Sequence, residues 1–205
     1  MKWQDFIAQK KSEIIFTIIL VALVLFFLPK FLNFVELRDG VILPDPILKL
    51  FTPVNLTWLT FALIYVSLIS AIIYFSTKPD LLFTALQSYA ILIIFRMVVM
   101  FVTPFNPPAD SIILNDPFVQ LFGSGEILTK DLFFSGHTAT LFLLYLIADK
   151  KYLKFIYLIF TIIVGLAVLL QHVHYTIDVI AAPFFSYTSF RLVKIFKNKI
   201  IKAIK

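Results

Sequence analysis

Apolar residues along this chain are clustered in runs. A run of about 20 mostly apolar residues is long enough to cross a bilayer as a helix. Six runs meet that length or approach it, at 14–35, 54–76, 81–103, 133–149, 152–171 and 174–196. The fourth is the shortest. The first follows Lys10 and Lys11, as a signal peptide's apolar core follows its basic start. It is long, lacks a small-x-small cleavage site and precedes five more runs, so it is expected to remain as a span. The pattern predicts an all-α polytopic membrane protein of about six transmembrane helices. Without an internal repeat or low-complexity tract, it forms a single domain over residues 1–205.

Composition supports that class. Hydrophobic residues make up 60% of the chain, against about 45–50% in soluble domains. There is no cysteine, which excludes disulfides, a thiolate nucleophile and a Cys-based zinc site. The net charge is +6, and six basic residues fall in the last fifteen positions. Beside a span, such a tail marks a cytoplasmic flank on anionic lipid rather than a nucleic-acid site.

Basic residues also set the orientation. With the N-terminus inside, thirteen lie on the inner side, including Lys2, Lys10, Lys11, Lys78, Lys150, Lys151, Lys154 and the C-terminal six. Four lie outside, Lys30, Arg38, Lys49 and Lys130. Both termini are therefore expected in the cytoplasm. The outer side then carries the two long loops, 36–53 and 104–132, and most of the acidic residues (Glu36, Asp39, Asp45, Asp110, Asp116, Glu126, Asp131). The Ile-, Phe-, Lys- and Leu-rich composition suggests a bacterial cytoplasmic membrane.

That topology, drawn without the histidines, brings the unusual residues to one depth. His137 falls in the first turn of the fourth helix, His174 in that of the sixth, and Asp178 one turn deeper. Arg96 sits seven residues before Thr103, about 10 Å below the outer end of the third helix. Two helix N-termini point at this layer with unpaired N–H groups and partial positive charge, a setting that binds phosphate or carboxylate. Ser135 suits a helix cap, and Gly136 lets an anion approach the backbone. His174 and Asp178 are spaced i, i+4 and share a face, so the aspartate can accept the imidazole Nδ1–H and leave Nε2 as nucleophile or base. Ionisable groups inside a bilayer are costly and usually functional.

Each residue also has a structural reading. The His174–Asp178 pair could be a buried polar clamp, and His172 a hydrogen bonder at a loop end. Asp131 either orients His137 or binds substrate, or it complements the helix dipole. Arg96 is suited to grip two phosphate oxygens, or to bridge to a neighbouring acid. Two other functions remain open on the residues alone. One is a metal hydrolase using His137, His172, His174 and Asp178, against which the His-x-His spacing suits a strand better than a helix. The other is a non-catalytic lipid-binding or transport protein.

Residues 131–138, DLFFSGHT, resemble the D-x3-S-G-H-T motif of the sphingomyelin synthase family, and residues 174–179, HYTIDV, resemble its H-Y-[ST]-x-D-V motif. Arg96 and Thr103, followed by Pro104 and Pro107, look like its R-x6-T motif near the end of the third span. The resemblance covers roughly 90–190. That family is a branch of the type 2 phosphatidic acid phosphatase (PAP2) superfamily. The resemblance implies a PAP2-like helical bundle and a lipid phosphatase or phospho-headgroup transferase that needs no metal or cofactor. Its partners would be a phosphorylated lipid and the bilayer, not nucleic acid, and its site would face the extracytoplasmic side. His174 would attack phosphorus, Asp178 would orient it, and His137 would protonate the leaving oxygen. Arg96, Asp131, Ser135, Gly136, Thr138 and Tyr175 would line the substrate site. The chain departs from the wider superfamily in lacking a K-x6-R-P motif and in carrying Val168 six residues before His174, where an arginine is expected. Lys130 replaces a glycine before the aspartate. Two histidines starting in opposite protonation states predict a bell-shaped dependence of kcat/KM on pH, read from initial rates across pH 4–10.

Overall fold

The computed structural model describes residues 2–115 and 128–204, with side chains as far as Asn198. Asp116 and Glu126, and the side chains of Lys199, Lys202 and Lys205, lie outside the described residues.

The described residues form α1 (Trp3–Gln9), α2 (Lys11–Leu37), α3 (Thr57–Ser76), α4 (Pro79–Val102), α5 (Gly136–Ile147), α6 (Lys151–Leu170) and α7 (Thr176–Ile204). Five of these helices, α2, α3, α4, α6 and α7, are long and apolar enough to cross a membrane. Pro79 opens α4, where its missing N–H costs nothing. Among the described residues there is no strand, only an isolated bridge between Val41 and Phe105 and a 3-10 turn at Leu48–Leu50.

The fourth predicted span, 133–149, is shorter than expected. The helix starts at Gly136, because Ser135 caps it and the preceding chain folds back with Phe133 at φ 45°. It stops at Ile147, where Ala148 turns extended. Twelve residues cover about 18 Å, against about 30 Å for a bilayer core.

The helices alternate in direction. One end of the bundle holds the start of α2, the end of α3, the α5–α6 turn and the end of α7. Ion pairs gather there: Lys10–Asp80 at 2.8 Å, Lys197–Glu13 at 2.7 Å, and Lys78 with Asp149. Hydrogen bonds from Lys78 and Tyr74 hold the Asp149 carboxyl below its ordinary value. Anchored at that end, α5 stops its N-terminus inside the bundle, roughly 12 Å short of the other end. It packs against α6 and α7, and also touches α3 and α4. Its buried face joins the largest core, with Ala139, Leu143 and Leu144 among Phe75, Leu92, Phe134 and Tyr157. The outlying α2 leans on α4 through Val24, Ala90 and Ile93.

At the opposite end, the long connections are tied to the helices they cross. The Gln171 side chain accepts from Leu56 N–H at 3.0 Å and donates to the Thr57 hydroxyl at 2.9 Å and the Ile112 carbonyl at 3.2 Å. Gly40 lies on the backbone of Phe105 and Asn106, and a Cβ there would fall 2.6 Å from the Phe105 carbonyl carbon. Gly40→Ala is expected to cost about 1–3 kcal/mol, as overpacking does. Gly165→Ala should cost less, since its Cβ would meet only the Val179 side chain at 3.1 Å and Thr138 beyond. Thermal melts of both variants in detergent check the order.

Candidate active site

The turn before α7 is built by a helix stop. α6 ends with His172 N–H donating to Leu169 O and Val173 N–H to Val168 O, while His172 takes φ 55°. This is the left-handed termination usually made by glycine, and histidine is among the side chains that tolerate it. The next residues swing His174 inward, where it is buried. Its Nδ1 lies 3.2 Å from Asp178 Oδ2, which also accepts the Tyr175 N–H at 3.1 Å. One carboxylate oxygen thus orients the ring and closes the first turn of α7. The ring's Nε2 points away from the aspartate. Asp178 is fully buried, and its Oδ1 has no hydrogen-bond partner.

A second helix start faces this pair. Ser135 N–H donates to the Asp178 carbonyl at 3.1 Å, joining the two turns directly. Ser135 Oγ accepts from the Thr138 N–H at 3.4 Å and lies 3.1 Å from the Thr138 hydroxyl. The next two residues of α5 are Gly136 and His137. The His137 ring stands edge-on to His174, with centroids 6.3 Å apart. Arg96 reaches across from α4 to the α5 N-terminus. A Cβ on Gly136 would lie 1.4 Å from Arg96 Nη1, so only glycine leaves room for the guanidinium. Arg96 is buried, its Nη2 lies 2.8 Å from Asp131 Oδ1 and 3.0 Å from the Asp131 carbonyl, and its Nε has no partner. The arginine therefore does bridge to a neighbouring acid, and keeps an unsatisfied buried donor that a phosphate oxygen could take.

A cavity of about 180 Å³ opens at this point, lined by Arg96, Asp131, Gly136, His137, Tyr89 and Thr140 among others. It adjoins an apolar pocket of about 170 Å³ that runs along α5 between α3 and α4, sharing Leu68, Tyr89 and Thr140.

The expected site residues divide into two sets. Arg96, Asp131, Gly136 and His137 line the cavity, and His174 with Asp178 stands beside His137. Thr138 and Tyr175 do not line this cavity, and Tyr175 lines pockets on the loop side of the α7 start. The Thr138 hydroxyl is spent on Ser135, and its methyl packs toward Gly165 of α6. The Tyr175 hydroxyl donates to Asn106 O at 2.8 Å and accepts from Leu43 N–H at 3.1 Å. Ser135 is fully buried as a cap. His172 lies at the end of α6, edge-on to Phe51 at 5.3 Å, with Nε2 lacking a partner, so it terminates a helix rather than bonding a loop. Among the described residues no group of three or more His, Asp or Glu side chains forms a metal-ligand set. The sequence reading missed Tyr89 and Thr140. Tyr89 precedes Arg96 by two helical turns and so shares its face, a spacing that could have found it.

Residues 130–195 match the family model described as PAP2 superfamily C-terminal. The match takes in both histidine motifs, α5, α6 and most of α7, and leaves Arg96 outside. Over that segment, about a third of the chain, the sequence is similar to the PAP2 superfamily. No curated protein gives a significant match.

Gly136→Ala would push the guanidinium off the α5 N-terminus. A charged hydrogen bond is worth about 1.5–3 kcal/mol, so KM for a phosphorylated substrate should rise about tenfold or more. The fold should persist, because the clash is with a side-chain end. Steady-state kinetics beside a thermal melt separate the two effects.

Proposed function

We propose that this protein cleaves a phosphorylated lipid through a covalent phosphohistidine on His174, without a metal ion. The observation that carries the reading is the Arg96 guanidinium seated on the bare first residue of α5, beside His137 and the His174–Asp178 pair. Phosphoryl transfer rewards positioning and positive charge around spread negative charge. Arg96 and the α5 N-terminus supply that charge. The apolar pocket beside the cavity suits an acyl or isoprenoid tail, which supports a lipid as substrate.

His174 Nε2 attacks phosphorus, and the bond from phosphorus to the lipid oxygen breaks. His137 gives its proton to that oxygen. Asp178 stabilises the imidazolium as it forms. In the second half, His137 takes a proton from the incoming hydroxyl, whose oxygen displaces His174 from phosphorus. Water as acceptor gives a phosphatase, the outcome the PAP2 match favours. A lipid hydroxyl gives headgroup transfer, the outcome favoured by the sphingomyelin synthase-like motifs at 131–138 and 174–179. The bias of basic residues favours cytoplasmic termini, with this site toward the extracytoplasmic leaflet of a bacterial membrane.

The test is turnover by purified protein in mixed micelles containing EDTA. Phosphatidic acid, phosphatidylethanolamine and phosphatidylcholine are offered, each with and without diacylglycerol or ceramide. Wild type should turn over at least one, and His174→Ala should lose more than about a thousandfold in kcat. Inorganic phosphate from phosphatidic acid, or a free phosphorylated headgroup from the other two, names water as acceptor, and a new phospholipid names a transferase. Folded wild type with no turnover in any combination, or turnover equal in His174→Ala, overturns the reading.

A further inference from the structure

Asp45 lies in the connection between α2 and α3, far from either histidine motif in sequence. Its carboxylate is nevertheless committed to the start of α7. Oδ2 accepts the Thr176 N–H at 2.7 Å, and Oδ1 accepts the Thr176 hydroxyl at 3.1 Å. Oδ1 also accepts the N–H groups of Ile47 at 2.9 Å and Leu48 at 3.4 Å, which fixes the carboxylate to its own loop. Leu43 of the same loop donates to the Tyr175 hydroxyl. Both residues that follow His174 are thus held from outside their own helix.

This grip bears on the reacting pair. Thr176 is the first residue of α7 and Asp178 the third. Asp178 Oδ2 reaches back to the Tyr175 N–H while holding His174 Nδ1, so the pair keeps its geometry only while this first turn is closed. Helix ends fray when their N–H groups lack acceptors. The acceptor for Thr176 N–H comes from Asp45. We propose that Asp45 is a positioning residue for phosphoryl transfer. It acts through Thr176 to hold the first turn of α7, and with it the register between Asp178 and His174. Burial alone would raise the Asp45 carboxyl, but the hydrogen bonds from Thr176, Ile47 and Leu48 outweigh it and hold the group below its ordinary value, as a carboxylate at a helix N-terminus should be.

The proposal rests on the phosphohistidine reading, and its test carries one readout that does not. Full-length Asp45→Ala, Asp45→Asn, Thr176→Val and the Asp45→Ala/Thr176→Val double variant are compared with wild type in micelles. Asp45→Ala should lower kcat about tenfold or more while KM stays within about threefold, since the cavity at Arg96 is untouched. Asp45→Asn, which keeps one acceptor oxygen, should recover much of the loss. The double variant should be little worse than Asp45→Ala, because both changes cut one contact. Independently, amide exchange in the peptide covering 173–179 should speed up about tenfold in Asp45→Ala, with α6 unchanged. Unchanged kcat and exchange overturn the proposal, as does a lowered melting point with wild-type kcat, or full additivity in the double variant. Should Asp45→Ala fail to fold, Asp45→Asn and Thr176→Val carry the same comparison. Faster exchange in a protein whose wild type turns over nothing would sustain the clamp and remove the phosphohistidine reading.

Discussion

The contact on which the rest of the site depends is that between the Arg96 guanidinium and the bare Cα of Gly136. A charged group inside a bundle is costly unless it is paired. Arg96 is paired on one edge by Asp131 and rests on a helix start with the other. That start is itself electropositive. Two positive features share one small space, and a side chain on residue 136 would separate them. The arrangement becomes electrostatically favourable when an anion lies between them.

Such a meeting needs a helix that begins inside the bundle, and α5 does so because it is short. Ser135 caps it at one end, and the chain turns away at Ala148 by the other. The shortness also leaves space above α5 and beside it, between α3 and α4, which the two joined cavities occupy. The same truncation that sets the polar start of α5 inside the bundle therefore leaves an apolar pocket beside the polar cavity.

The two ends of the bundle are stabilised by different means. Ion pairs between Lys and Asp or Glu dominate where the helices α2, α4 and α7 meet near the chain termini. At the opposite end hydrogen bonds to backbone dominate, through Gln171, Asn106, Tyr175 and Asp45. These bonds join segments more than fifty positions apart in sequence: loop to loop at Asn106–Gly40, loop to helix end at Gln171, and loop to helix start at Tyr175 and Asp45. Both turns that feed the histidine-bearing helices hold a non-glycine residue at positive φ, Phe133 and His172. Conformations of that kind persist only where the surroundings over-determine them.

Much of this was legible in the sequence. Long apolar runs can satisfy their backbone in a bilayer only as helices, so the five long spans and the all-α class followed from composition and order. The i, i+4 spacing put His174 and Asp178 on one face, and Ser135-Gly136 announced a helix start, because these are local relations within one or two turns. What the sequence left undecided depends on contacts between distant segments. Arg96 had two candidate partners until Asp131 was found against it, and Thr138 and Tyr175 belonged to motifs without revealing that their hydroxyls serve the scaffold. Asp45 carried no signal at all, because a carboxylate in a polar loop is ordinary until the fold brings a helix N-terminus to it. Local periodicity determined which residues share a helix face. Only tertiary packing decided which helix ends meet, how deep α5 begins, and which polar groups are left for a substrate.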